Sequence, residues 1–441
     1  MGSKPRVLIV ARDDPGVGAL ADGLDDLGWR TLTTRGPHAS MAALADLSIE
    51  AAIIELGGEG GGALNFASRM KAACAPRRLP VIGLGRPGPQ WETHGFDLIL
   101  APPLHAAQVV ARLESLIRLA IAEEEFDLRA QTFAERGRRL DAPMTDRAPL
   151  RILTVGEPAP QFLSLSNALG RLGADVVGAF TAYTAFDYLQ ERRFEAVVLW
   201  AGDDRKEALQ IATSMRRNTR LFHVPAMLYL NRGARLSPVE AFDKGVSDVA
   251  SPDTDEADTA RRVTELARAY RRQHAVRAAL DKARSSGLMD AATGLFTRDL
   301  FASHLIRLSH ASQARNRRLS VCVLKVAQTR AVGEARAGGF LDRAIPQIGS
   351  MIGRLVRAED TGARLGAEVF ALAMPDTDVA AAREAGQRIA AVIACTAFEA
   401  GADRMPFVAE FDIGAAQIQP GQSAARALEA AAAEAATRQV G

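Results

Sequence analysis

One pattern of short apolar strands and intervening helical stretches runs twice through the first 270 residues, and no other feature constrains the fold as strongly. In the first copy the strand-like runs are Arg6–Val10 (RVLIV), Ala51–Glu55 (AAIIE), Leu79–Leu84 (LPVIGL) and Phe96–Leu100 (FDLIL). At matching intervals the second copy has Arg151–Val155 (RILTV), Phe194–Leu199 (FEAVVL), Val224–Leu230 (VPAMLYL) and Gly245–Ala250 (GVSDVA). β-Branched runs separated by stretches long enough for helical crossovers predict a doubly wound parallel sheet, and the repetition predicts two of them.

The 441 residues exceed one ordinary core, and about 100 to 200 residues per domain suggests three. We place the first sheet domain at 4–120, a helical linker at 121–148 and the second sheet domain at 149–270. A connector helix at 271–287 continues the long polar helix predicted over Asp255–Arg284, and a third domain occupies 288–441. The third domain has strand candidates Leu319–Lys325, Ala363–Ala373 and Phe407–Ile413, and an Ala-rich tail, Ala424–Ala436, that reads as a helix on propensity.

The 54 Lys plus Arg balance 52 Asp plus Glu to a net charge of +2 with no basic stripe, which argues against a nucleic-acid partner. Cys74, Cys322 and Cys395 form no CxxC pair and read as core thiols in a reducing compartment. No apolar run approaches the ~18 residues that span a bilayer. A soluble, cytoplasmic protein is expected.

Both repeats resemble bacterial response-regulator receiver domains, which are flavodoxin-like (CheY-like) folds. Receiver chemistry needs an acidic pair for Mg²⁺, an acceptor Asp, a Ser or Thr, and a Lys, each at a strand end. In the first copy these positions hold Ala11-Arg12, Glu55, Gly85 and Pro102 of Pro102-Pro103, with Asp13-Asp14 two positions beyond the acidic pair. In the second they hold Gly156-Glu157, Trp200, Leu230 and Ser251, with Asp203 and Asp204 nearby. Glu55 and Trp200 are thus degenerate phosphoacceptor positions, and neither copy is expected to take a phosphoryl group. Glu55 is either a permanently charged imitation of an acceptor or a tolerated polar strand end. The glycine run Gly57–Gly62 has neither the spacing nor the Lys of a phosphate-binding loop.

Asp290–Phe301 (DAATGLFTRDLF) resembles the DxLTGLxNRxxF opening of GGDEF domains, which are α+β and nucleotide-cyclase-like. Gly366, Ala367, Glu368, Val369 and Phe370 (GAEVF) stand where that family has its GG(D/E)EF hairpin. Two motifs in register over about 150 residues make the resemblance specific. It implies a degenerate active site. The family's first-strand metal Asp aligns with Lys325, its guanine-reading Asn with Gly333 and the partner Asp with Asp342, while Glu368 keeps the hairpin acid. An ammonium at the metal position removes a carboxylate ligand and adds like-charge repulsion. Metal binding and cyclization are therefore expected to fail, with no catalytic residue, resident metal or cofactor. Ala367 would add about 1 kcal/mol of strain if a positive φ were required there.

Before the hairpin stands Arg357-Ala358-Glu359-Asp360, an RxxD in the register of the family's inhibitory site for cyclic di-GMP. An Arg fork can reach guanine O6 and N7 or a phosphate, and a carboxylate can accept from guanine N1–H and N2–H₂. The bland alternative is an exposed i,i+3 ion pair. The resemblance adds Arg388 as a second arginine that reaches the same ligand from another domain or subunit.

The whole order resembles the PleD-like receiver–receiver–GGDEF proteins, and the loss of site residues resembles a catalytically inactive member. That resemblance implies a non-catalytic cyclic di-GMP receptor and signalling adaptor, a homodimer found at a cell pole, with protease-adaptor machinery and a cell-cycle regulator as partners through its receiver domains. The alternative is a weak or unconventional diguanylate cyclase under feedback inhibition.

Overall fold

A computed structural model describes residues 5–12, 15–56, 61–85, 95–101, 104–201, 205–218, 220–230, 236–250, 253–282, 287–401 and 405–437. Asp13, Asp14, Gly57–Gly60, Pro102, Pro103, Asp203, Asp204 and Ser251 lie outside the described residues. The chain divides into two compact units, Ser3–Ala120 with Met144–Ala275, and Ile121–Pro143 with Val276–Gly441.

In the first unit, β1 (Arg6–Val10), α1 (Pro15–Asp26), β2 (Arg30–Thr34), α2 (Pro37–Asp46), β3 (Ala51–Glu55), α3 (Gly61–Ala73), β4 (Val81–Leu84) and β5 (Leu98–Leu100) precede the long helix α4 (Ala106–Ala134). The second copy runs β6 (Leu150–Val155), α5 (Pro160–Arg171), β7 (Ala174–Ala179), α6 (Ala182–Glu191), β8 (Ala196–Ala201), α7 (Arg205–Arg217), β9 (Ala226–Leu230), α8 (Pro238–Asp243), β10 (Asp248–Ala250) and α9 (Glu256–Lys282). The sheets are parallel with orders β2-β1-β3-β4-β5 and β7-β6-β8-β9-β10. Both are the 2-1-3-4-5 order of flavodoxin-like folds. The central strands β1, β3, β6 and β8 are almost wholly buried because helices cover both faces.

Helices α4 and α9 meet over a charged cluster at β10. Asp248, fully buried, accepts from Gln108 Nε2 at 2.9 Å, from Arg112 Nη2 at 2.6 Å and from Arg262 Nε at 3.1 Å, and is also bonded to Arg262 Nη2. One strand carboxylate thus ties the last helix of each repeat together.

The second unit is built on α10 (Arg298–Ala314), β11 (Leu319–Val326), α11 (Arg330–Ala337), α12 (Phe340–Leu355), β12 (Thr361–Arg364), β13 (Val369–Pro375), α13 (Val379–Ala394), β14 (Phe411–Gln417) and α14 (Ala424–Thr437). Its antiparallel sheet has the order β12-β13-β11-β14. The Ala-rich tail lays Ala424, Ala427, Ala431 and Ala435 against the sheet. A Cβ at Gly414 would lie 1.9 Å from the carbonyl oxygen of Ala431, so this close helix–strand approach requires glycine.

Three local expectations are corrected. The strand expected over Ala363–Ala373 is interrupted by a turn, because the GAEVF residues close a hairpin between β12 and β13. The last strand lies at Phe411–Gln417 rather than Phe407–Ile413, since Phe407 forms only an isolated bridge with Phe398. Of the three thiols Cys322 is buried, and burial pushes it up to about 12; Cys74 is half-buried, and Cys395, at the end of α13, is exposed.

Residues Ile121–Pro143, expected to form a linker, pack as part of the second unit. Ala122 and Phe126 of α4 meet Val276, Ala279 and Leu280 of α9, while Leu128 and Phe133 join the core beneath β11 and β13. Glu124 is paired with Arg315 and Arg317 at the end of α10.

Candidate functional site: the Arg357–Asp360 loop and the hairpin beside it

The site grows from the opening motif. Asp290 Oδ1 accepts from the N–H of Thr293 at 2.9 Å and from its hydroxyl at 2.7 Å, and Gly294 turns the chain with φ 67°. Phe296 then bonds along β12, its N–H donating to Gly362 at 3.0 Å and its carbonyl accepting from Arg364 at 2.9 Å. The motif therefore braces the strand that emerges from RxxD and enters the hairpin.

Between α12 and β12, Arg357–Asp360 form a turn. The N–H of Asp360 donates to the Arg357 carbonyl at 3.2 Å, and the N–H of Arg357 donates to Asp360 Oδ2 at 3.1 Å. Arg357 is exposed, whereas Asp360 is only 4% exposed and its Oδ1 has no hydrogen-bond partner among the described residues. Burial pushes the Asp360 carboxyl up to about 7, helped by Glu359 and opposed by the Arg357 N–H and by the charges of Arg357 and Arg129. A cleft of about 50 Å³ opens here, with Arg129, Arg277, Phe296, Arg357, Asp360 and Thr361 among its lining. A buried acceptor without a donor is costly to fold around, and so marks a place where a ligand's N–H would be welcome.

Behind the loop lies a polar network that sequence reasoning missed. Arg129 Nη2 donates to the carbonyls of Asp360 (2.8 Å) and Ala358 (3.4 Å) and to the Thr361 hydroxyl (2.9 Å), while its Nε donates to Glu125 Oε1 at 2.7 Å. The same carboxylate oxygen accepts from Thr361 at 2.8 Å and lies 2.9 Å from His304 Nε2, whose Nδ1 is 3.0 Å from the Thr132 hydroxyl. Burial works against the charge on Glu125, but His304 and Arg129 outweigh it and hold the carboxyl at about 2. The available sequence signal was the Glu125/Arg129 pair at i,i+4 within a helix.

At the hairpin, Glu368 is spanned by Arg336, with Nε to Oε1 at 2.6 Å and Nη2 to Oε2 at 2.7 Å, and Gln328 donates to Oε2 at 3.2 Å. These Arg336 bonds hold its carboxyl below the usual range against the effect of partial burial, and the charge of Lys325 acts in the same direction. Lys325 stands half-buried near the end of β11, opposite Val369 on β13 and Asp412 on β14. Val369 starts β13, and Phe370 is fully buried against Phe411. Neither Gly366 nor Ala367 has a positive φ, so the strain considered for Ala367 does not arise. Asp342 is exposed in the first turn of α12, and Gly333 lies in α11. Arg388 is exposed on α13; no hydrogen bond or ion pair joins it to Arg357 or Asp360 among the described residues.

In the first unit, Glu55 Oε2 accepts from the N–H of Arg12 at 2.8 Å, fastening the loop after β1. Trp200 packs between Tyr229 (ring centroids 4.1 Å apart) and Phe162 (5.7 Å). A Cβ on Gly156 would come within 2.6 Å of the Trp200 Cβ, so the indole position and the glycine across from it form one packing arrangement.

Residues 287–439 match the family model described as diguanylate cyclase, GGDEF domain. Over 365 residues, covering 80% of this chain and 79% of the relative, the sequence is 22% identical to the response regulator PleD of Caulobacter vibrioides. The GGDEF domain of DgcB from Caulobacter crescentus, solved in complex with c-di-GMP, is 21% identical, covering 34% of this chain and 86% of its own with a TM-score of 0.32. For the FimX GGDEF domain from Pseudomonas aeruginosa the identity is 18%, the coverage 34% and 92%, and the TM-score 0.31. Residues 287–439 thus match the GGDEF-domain family, and over most of its length the chain is similar to a response regulator.

Proposed function

We propose that this chain is a cyclic di-GMP receptor that does not make the dinucleotide, with two degenerate receiver domains ahead of its GGDEF domain. One observation carries the reading: Asp360 is buried, with an oxygen that meets no hydrogen-bond donor among the described residues, beside the exposed Arg357. Guanine supplies the missing complement, because its N1–H and N2–H₂ donate to a carboxylate while an arginine fork serves O6 and N7 or a phosphate.

The hairpin supports the negative half. Both oxygens of Glu368 are engaged by Arg336, and Lys325 adds a second positive charge nearby. A divalent ion would have to displace a bidentate guanidinium and tolerate an ammonium where a carboxylate ligand is wanted. Incubated with GTP and Mg²⁺ or Mn²⁺, the purified protein is expected to form no cyclic di-GMP, yet to retain labelled cyclic di-GMP in equilibrium dialysis. Clear turnover would favour the cyclase reading, which Glu368 keeps open.

The finer likeness is to PopA, an inactive PleD-like protein. It supports an adaptor role in which the ligand favours one arrangement of subunits or domains, with Arg388 reaching the ligand from another domain or subunit. The partners implied are a cell-cycle regulator and protease-adaptor machinery at a cell pole, docking on the receiver domains. Neither receiver is expected to be labelled by acetyl phosphate.

A further inference from the structure

We propose that Arg129, on the segment of α4 that packs within the GGDEF unit, is a positioning residue of the dinucleotide site. It fastens the 357–361 backbone in the shape that presents Arg357 and Asp360. This rests on the cyclic di-GMP reading above and assigns the site a component outside the GGDEF sequence itself.

The turn between α12 and β12 has few internal restraints: one backbone bond, Asp360 to Arg357, and the Asp360 side chain folded back on the Arg357 N–H. Its carbonyls at Ala358 and Asp360 point to a single guanidinium, which also holds the Thr361 hydroxyl. Arg129 is itself fixed. It is buried, bonded to Glu125, and stands 5.7 Å from the centre of the Phe296 ring. Glu125 is in turn held by His304 and Thr361. A buried ion pair contributes little net stability against well-packed apolar residues, so its use here is better explained by the geometry it imposes. The guanidinium serves the loop acceptors through Nη2 and Glu125 through Nε at once, two directions fixed by its planar fork that a flexible ammonium stem does not hold together.

Arg129 also acts on Asp360 electrostatically, because its charge favours the carboxylate that guanine requires. The charged groups facing Asp360 are Glu359 and Arg357 on its own turn, Arg129 from α4, and Arg277 and Asp281 from α9 across the cleft. Removing Arg129 therefore both loosens the loop and makes Asp360 harder to ionise.

The test is calorimetric titration of the full chain with cyclic di-GMP from pH 6 to 9, for wild type, Arg129→Gln, Arg129→Lys and Arg357→Ala. Arg129→Gln is expected to bind at least about tenfold more weakly, with the midpoint of its pH dependence displaced upward. Arg129→Lys is expected to bring back the pH midpoint, because the charge is kept, but not the affinity. Wild-type affinity and pH profile in Arg129→Gln, alongside lost binding in Arg357→Ala, would overturn the positioning role while leaving the receptor reading intact. Wild-type binding in both would overturn the site and the positioning role with it. If Arg129→Gln does not fold, Thr361→Val carries the comparison, since it deletes one Arg129 acceptor and keeps the charge. About threefold weaker binding is expected there, and unchanged affinity would overturn the proposal.

Discussion

Replacing Asp248 by alanine is expected to destabilise the first unit by about 3–5 kcal/mol, the usual effect of removing one partner from a buried ion pair. The carboxylate is fully buried, and Arg112 and Arg262 converge on it from α4 and α9 with Gln108 as a further donor. Without it two buried guanidinium groups face each other. Among the described residues, Arg262 then keeps its bond to the Val249 carbonyl, and Arg112 loses its hydrogen-bond acceptor. Trp29 is buried and Trp200 half-buried within the first unit, so their fluorescence reports its unfolding. A large drop in the urea midpoint is expected for Asp248→Ala and a smaller one for Asp248→Asn, which retains an acceptor. A midpoint unchanged in both variants would mean that the cluster does not hold the repeats together.

Asp360→Asn is expected to move binding and stability in opposite directions. The amide can still accept the Arg357 N–H through its oxygen, but it then turns an NH₂ toward the cleft, donor against guanine donor. Affinity for cyclic di-GMP is expected to fall by at least about thirtyfold. Stability should rise. The folded-state carboxyl is raised above its unfolded value, chiefly by burial, so the unfolded chain gives up its proton first as pH increases. Wild-type stability is thus lost as pH rises from about 4, the unfolded value, to about 7 in the folded protein. The asparagine variant does not carry this loss, and its thermal midpoint should exceed wild type by an amount that grows across that window and levels off above pH 7. Equal midpoints at pH 8 would show that Asp360 is not held ionised against its surroundings. The physical point is general: an acid kept buried and unpaired weakens the empty fold in a way that a ligand with two N–H donors relieves.

The sequence carried the architecture where its signal was physical and local. Buried parallel strands such as those of RVLIV and FEAVVL carry continuous apolar runs, Val7–Val10 and Ala196–Leu199, legible at sight. β2 (RTLTT) and β7 (ADVVGA) were not anticipated because they are edge strands, partly exposed and without such a run. GAEVF and RxxD match a known pattern in their spacing, and the structure places Arg357 and Asp360 in one turn. Hidden from the sequence was everything set by tertiary contact. Residues 121–148 read as a helical linker, although Glu124, Glu125 and Arg129 are buried, each bonded to a partner more than 150 residues away. Arg336 likewise offered no signal, since its clamp on Glu368 depends on α11 lying beside the hairpin. Periodicity reports which face of an element is apolar; it does not report which charge another element will supply.

Calorimetric titration of the full chain with cyclic di-GMP at pH 8, where Asp360 is ionised, tests the central claim most directly. Saturable binding is predicted, together with its loss in Arg357→Ala, because the guanine and phosphate would lack their charged donor. Absence of binding by the wild-type chain, or undiminished affinity in Arg357→Ala, would contradict the account.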